Sequence, residues 1–570
     1  TGAETDHLGC MLAGSRANEA QTYGDMDRAW EQISISMDLA DRIASDIKDQ
    51  LHRTGIRSEL RTSFQLGAWI ALARGDWRTA FATSQRAKGR TLTELIDTRH
   101  DLTTLDRQEL LLRHQFELGA IDDEAVSRGI PHIQRQRQEK RASRLGRDPR
   151  QPVDLEAIIA ALHPNEALFD VLEIADDGTI IVFLLLHGYE EVAFTGTIEG
   201  NRLRPLVDAW TGCRERYIRV LKRYAKGDSS LWNTLRVHMD QGDRALERLG
   251  SLLIAPILEL LDQHGITTLI CSPSGLLHQL PIAALRVPDQ QGNPTYLIDR
   301  FALSLVPTAS SLAILRQRGA PRLTWPPALL AAAPFSPTDD NDQPSLFIDR
   351  HRSMLLREPV TTADDRYHDL PASRQEVLEI GAMIRAIDPG APAPRLLFRD
   401  ATREALLAEI GSARLLHLST HGEHLAADQS TLDFTMLLAK DNRGVRTRMT
   451  VREIYDEAIP FKDVFAICLS ACHLGEIVTL GAEALGFAQA FLSAGAGVIL
   501  APIWAVDDRP TARLMVGWYE RLVSLEQPTV ALAWQSAVQR MRPMQREYAA
   551  PFFWAGFLPN GDGALRLRHS

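Results

Sequence analysis

Two residues of this sequence have the types and spacing for nucleophilic chemistry: His421 in "LLHLSTHGEH" and Cys472 in "DVFAICLSACHLGE", 51 residues apart (472 less 421). Each stands just past a short apolar run. In an extended chain successive side chains alternate, so Leu416, Leu418 and Thr420 share one side, and Leu415, His417, Ser419 and His421 the other. Gly422 supplies a turn directly after His421, and Cys472 follows Ser470 and Ala471, beyond the apolar run that holds Cys468. Ligands in open α/β sheets bind at the carboxyl ends of strands. Two parallel strands ending side by side would set imidazole beside thiol. A cysteine is only slightly ionised at neutral pH, and an adjacent imidazole takes its proton or stabilises the thiolate, the attacking species. Acyl transfer also develops negative charge on a carbonyl oxygen, for which the backbone N–H groups of Gly422 and Cys472 are the candidate oxyanion hole.

The elements that must position this pair are legible around it. From residue 326 onward the sequence alternates strand and helix: "ALLAAAPF", "SRQEVLEIGAMIRAI", "ARLLHLST", "DVFAICLSA", "ALGFAQAFLSAG" and "AGVILAPIW". Continuous apolar strands separated by helices imply a parallel sheet covered on both faces. "HLGEIVTL" should join the cysteine to a helix starting near Gly481. Before this region, "NEALFDVLEIADDGTIIVFLLLHGYEEVAFTGTI" reads as a strand meander, followed by the helical "DRALERLGSLLIAPILELLDQHG" and the strand "ITTLICSPSG". Residues 1–150 read as helices and a charged linker. "GAWIALARGDWRTAFATSQRA", with its Gly-Asp turn and Trp77, Ala80 and Ala87, is similar to a tetratricopeptide helix pair, a unit that buries its apolar face only by stacking. The expected division is therefore 1–150, 151–325 and 326–570.

Composition narrows the partners. A chain of 570 residues exceeds one hydrophobic core, and 45% hydrophobic with 24% charged residues is ordinary for a globular protein. A formal net charge of -10 argues against nucleic acid as the main ligand, which needs a basic footprint. Five cysteines without a close CxxC pair point to a reducing, cytoplasmic compartment. The longest apolar runs are too short to span a bilayer, and no signal segment opens the chain. The first residue is Thr1, which suggests a fragment of something longer. His417, His421, His424, Cys468, Cys472 and His473 are zinc-competent types, but their spacing fits no standard finger, and no metal or cofactor is expected. "GAEALG" lacks the Gly-Lys-Ser/Thr of a phosphate loop.

A histidine about 50 residues ahead of a cysteine is the caspase-type order. "LLHLSTHGE", "AICLSACHLGE", "GAEALGFAQAFLSAGAGVILAPIWAVDD" and "FFWAGFLPNGD" together resemble the CHAT domain, a caspase-like family related to separase and often fused to tetratricopeptide repeats. Upstream, "LICSPSGLLHQLPIAAL", "YLIDRFALSLVPTASSL" and "LPASRQEVLEI" resemble its earlier blocks, so the likeness covers about 160 to 565. It implies a clan CD cysteine endopeptidase with His421 and Cys472 as dyad, and a caspase-like sandwich in which a non-catalytic half precedes the catalytic half. It implies a protein substrate, and a bacterial protease acting in defence or cell-death signalling. Where the family usually has an acidic residue and Thr after the cysteine, this chain has His473 and Leu474. Acidic residues near Asp507 and Asp508 pair with a substrate arginine in separase-like relatives, which makes both candidate substrate-binding residues; the same pair also suits the start of the helix "PTARLMVGWYERL". The helical region would bind an activating or inhibiting protein or ligand. The alternative is a non-catalytic scaffold for protein assembly.

Overall fold

The structure is a computed structural model that describes residues 2–45, 60–99, 154–174, 177–224, 229–319, 327–336, 369–390, 393–424, 434–456, 459, 461, 463–470, 478–480, 483–504, 508–524 and 526–567. Cys472, Asp507 and the 101–150 stretch lie outside them.

Runs of Leu, Ile, Val and Ala with no polar alternation form strands buried on both faces. In chain order they are β1 (Glu166–Glu173), β2 (Ile180–Leu186), β3 (Phe194–Ile198), β4 (Thr268–Ser272), β5 (Arg286–Pro288), β6 (Pro294–Tyr296), β7 (Ala302–Leu305), β8 (Leu329–Ala332) and β9 (Arg395–Leu397). There follow β10 (Leu415–Ser419), β11 (Gly422–His424), β12 (Phe434–Lys440), β13 (Arg446–Thr450), β14 (Ala466–Ser470), β15 (Val478–Leu480), β16 (Glu483–Leu485), β17 (Val498–Pro502) and β18 (Phe557–Gly561). Eleven of them make one mixed, mostly parallel sheet in the order β3-β2-β1-β4-β7-β18-β17-β14-β10-β8-β9. The expected meander is present: β1, β2 and β3 pair antiparallel, and β1 then pairs parallel with β4. The sheet does not stop near residue 325. β18, from the end of the chain, lies antiparallel to β17 on one side and parallel to β7 on the other.

Helices cover both faces. On the first face lie α1 (Gly2–Thr22), α2 (Met26–Ser45), α3 (Arg61–Ala73) and α4 (Trp77–Arg99); α4 meets β1, the other helices pack in turn on one another and on α4, and all share a core with Leu168, Leu172, Ile181 and Phe183. The opposite face of the same strands packs α5 (Gly200–Tyr224) and α6 (Trp232–Leu253). Further helices are α7 (Ala309–Gln317), α8 (Pro371–Ile387), α9 (Arg403–Ile410), α10 (Phe487–Ser493), α11 (Asp508–Leu522) and α12 (Val530–Met541). Leu416 and Leu418 of β10 enter the core shared with α9 and α10, whereas Leu415 enters the core shared with α8, α11 and α12, the alternation expected for this strand. In the N-terminal region α1 with α2 and α3 with α4 form two helical hairpins, each turning at a glycine in the left-handed region, Gly24 (φ 80) and Gly75 (φ 78).

One charged contact binds this helical layer to the sheet. Asp170 interrupts the apolar face of β1 and receives Lys88 of α4, Nζ to Oδ1 2.8 Å, with both side chains buried. Lys88 Nζ also donates to the Ser272 carbonyl at 2.7 Å, and Gln85 Nε2 donates to the other Asp170 oxygen at 2.8 Å. Burial pushes the Lys88 ammonium down from its ordinary value against the opposing pull of Asp170. A second clamp, Arg316 of α7, reaches Glu166 (2.6 Å) and Asp562 (3.0 Å), joining the start of β1 to the residue after β18.

Lys88→Met strands a carboxylate in the interior, so it should lower folding stability by about 3–5 kcal/mol. Lys88→Met combined with Asp170→Leu should recover most of that loss. Urea unfolding midpoints measure both. A single variant as stable as the wild type contradicts a dry, load-sharing ion pair.

Candidate active site

The site starts from a strand register. β10 and β14 are parallel neighbours, paired Leu415↔Ala466, His417↔Cys468 and Ser419↔Ser470. His421 follows the last pair by two residues. Its imidazole is buried, only 9% exposed, and it is held from several directions. The ring stands edge-on to Phe335, centroids 4.5 Å apart and planes at 83°. The His421 carbonyl accepts the Leu437 N–H of β12 at 3.0 Å, and the preceding Thr420 hydroxyl bonds the Leu437 carbonyl. Phe335, Leu437 and Leu370 form a small apolar cluster of their own, and the Arg446 guanidinium lies 4.5 Å from the Phe335 ring. Gly422 begins β11 and pairs with Met436, so a three-stranded sheet β11-β12-β13 grows from the residue after the histidine.

Beneath the strand ends lies a buried polar cluster. Glu376 of α8 is fully buried. Its Oε2 accepts the Ser419 hydroxyl at 2.9 Å and the Ser470 hydroxyl at 3.2 Å. Its Oε1 stands 3.2 Å from His417 Nε2, out of line for a hydrogen bond. Ser373, one turn earlier on α8, has its Oγ 2.7 Å from that of Ser419. Cys468 is a packed core thiol, as its place inside the apolar run implies: it is fully buried with Sγ 3.2 Å from Met515 Sδ. Burial, and then the Glu376 charge, push this thiol well above its ordinary value. The Tyr519 phenol, whose ring packs on His417, is pushed up in the same way by burial.

Of the residues expected from sequence, His421 and Gly422 sit together at the end of β10. Cys472 and Asp507 lie outside the described residues, and of Asp508 only the backbone, the first residue of α11, is described. One expectation needs correcting. The segment after the cysteine does not lead straight to a helix near Gly481. β15 and β16 pair antiparallel first, and α10 starts at Phe487. Val478 and Thr479 are β-branched and favour strand over helix. Glu376, Ser373 and Phe335 were missed. Ser373, Glu376, Ile380 and Ile384 fall on one helical stripe, so the two polar residues could have been placed facing the sheet. Trp504, just past β17, explains two motifs at once: its Nε1 donates to the Phe552 carbonyl at 3.1 Å, and a Cβ at Gly556 would come within 2.8 Å of its ring.

The CHAT domain family matches residues 243–562. The chain belongs to the CHAT domain family. Among solved structures, the Saccharomyces cerevisiae separase–securin complex shares the fold with a TM-score of 0.52 at 12% identity, over 98% of this chain and 40% of that one. The chain thus spans 40% of the length of the separase chain it matches. The Porphyromonas gingivalis RgpB pro- and mature domains are more distant, with a TM-score of 0.34 at 12% identity over 57% of this chain and 70% of that one. No curated protein matches the chain significantly. The CHAT fold here is separase-like, with the all-helical region packed on one face. No helix among the described residues is long and apolar enough to cross a membrane.

Cys468 should resist alkylation in the folded CHAT domain and react only on unfolding, as mass spectrometry of iodoacetamide-treated protein would show. Because its folded thiol titrates above its unfolded one, near 8.5, the unfolded state alone loses the proton as pH rises past that value, and stability falls. Cys468→Ala should cost about 1 kcal/mol at neutral pH and flatten that alkaline loss. An unchanged alkaline slope contradicts the assignment.

Proposed function

We propose that the chain is a cysteine endopeptidase with His421 and Cys472 as its dyad. The observation that supports it best is the register: β10 and β14 pair with an offset of 51 residues (470 less 419), the same interval that separates His421 from Cys472. Continued two residues past the Ser419–Ser470 pair, that register would bring His421 and Cys472 to the same level. In this reading His421 accepts the Cys472 proton, and the thiolate attacks the scissile carbonyl. The N–H groups of Gly422 and Cys472 hold the oxyanion, the imidazolium protonates the leaving amine, and water then hydrolyses the acyl-enzyme. His421 is well placed to serve, since Phe335 and β12 fix its ring and backbone before any substrate arrives.

Asp507 and Asp508 remain the proposed partners of a basic side chain at the cleaved position, through a charge-assisted pair. Control through the helical region belongs to the same reading. α4, anchored by Lys88, also packs against β16 and α10, the elements that follow the cysteine loop in sequence. A ligand that shifts α4 could therefore favour one arrangement of that loop over another. A cytoplasmic protease with a regulated protein target, in defence or cell-death signalling, is the setting this implies.

Cys472→Ala and His421→Ala should each abolish cleavage of a peptide library that the wild type cuts, with Cys472→Ala folding as the wild type does. Circular dichroism melting checks the fold, and mass spectrometry of the library checks the cut. Normal cleavage by Cys472→Ala would falsify the dyad.

A further inference from the structure

Glu376 binds the two strands that carry the proposed dyad through one oxygen atom. Ser419 is the last residue of β10 and Ser470 the last of β14; they are register partners, and both hydroxyls donate to Glu376 Oε2, at 2.9 and 3.2 Å. Nothing in the chemistry of acyl transfer uses this carboxylate, which is fully buried on the face of the sheet beneath the site. A fully buried carboxylate with only hydroxyl donors on that oxygen is an expensive way to fill space; an apolar side chain of similar size would pack α8 at least as well. Its geometry does what an apolar residue could not. Two hydrogen bonds to one acceptor fix the distance and level of the two strand ends, two residues ahead of His421 and Cys472. Ser373 Oγ, one turn back on α8, is a second acceptor for the Ser419 hydroxyl at 2.7 Å, so that proton is shared between two groups of the same helix. α8 is itself seated against α11, through the Ala372–Ala512 contact among others.

We infer that Glu376 is a positioning residue of the peptidase site, acting through Ser419 and Ser470 to hold the imidazole and the thiol at one level. This rests on the dyad reading above. Since catalytic groups must be held to within fractions of an ångström, a loosened clamp lowers reactivity even where the fold persists.

The test follows the rate at which iodoacetamide alkylates Cys472, measured by mass spectrometry of its peptide across pH 5 to 9 on the full chain. His421→Ala serves as the reference for a thiol without its base. Ser419→Ala and Ser470→Ala should each slow alkylation several-fold near neutral pH and move the pH profile towards that of His421→Ala, while melting remains cooperative. Glu376→Gln, whose amide oxygen still accepts from both serines, should keep more of the rate than Glu376→Leu. A purely structural cluster would shift the melting temperature and leave the profile unmoved. Serine variants with the wild-type rate and profile, alongside a slowed His421→Ala, overturn the clamp and leave the dyad standing. A His421→Ala protein that reacts as fast as the wild type overturns the dyad and the clamp together.

Discussion

Everything at this site depends on the parallel pairing of β10 with β14. Backbone hydrogen bonds between adjacent parallel strands set both the spacing and the level of their ends, and slipping the pair by one residue would send each side chain to the opposite face. Here the slip is prevented from both sides. Leu416, Leu418, Ile467 and Leu469 belong to one core, while Leu415, Ala466 and Cys468 belong to the other. Each face has a deep apolar demand, so only one register satisfies both. The polar residues His417, Ser419 and Ser470 face α8, where Glu376 meets them.

The rest of the molecule extends that constraint outward. β17 and β18 reverse the strand direction and let the second parallel block, β7, β4 and β1, continue the same sheet. The second helical hairpin then packs on the remaining open face of that block, with the first hairpin stacked on it. Their attachment is not only apolar: Lys88 and Asp170 form an ion pair whose separation would leave an uncompensated buried charge, so the layer is docked in one position rather than resting loosely. α4 thereby links the helical layer to β16 and α10 as well as to β1.

Much of this was legible in the sequence because it rests on local patterns. The unbroken apolar runs ending at Ser419 and Ser470 mark β10 and β14, and the charge-poor core of "DVFAICLSA" separates Cys468 from Cys472. The Gly-Asp turn at Gly75 marks the second helical hairpin. What was not legible depends on distant contacts. The Lys88–Asp170 pair spans 82 residues, and neither residue looks unusual in its own segment. Glu376 stands 43 residues from Ser419 and 94 from Ser470; its stripe on α8 points it at the sheet, but nothing local says which strand ends it meets. Phe335 reads as the end of an apolar strand until the His421 ring is found against it. β15 and β16 were lost because a short β-branched pair beside glycines carries too little periodicity to outweigh the helical pattern after it.

The claim on which all this turns is geometric: the side chains of residues 421 and 472 face one another. Treating the His421→Cys variant with a short bifunctional thiol reagent such as dibromobimane, and mapping the products by mass spectrometry, tests it without any substrate. The account predicts an intramolecular bridge between Cys472 and the new thiol as the main product, with buried Cys10, Cys213, Cys271 and Cys468 unmodified. Two separately modified thiols, with no bridge between them, would contradict it.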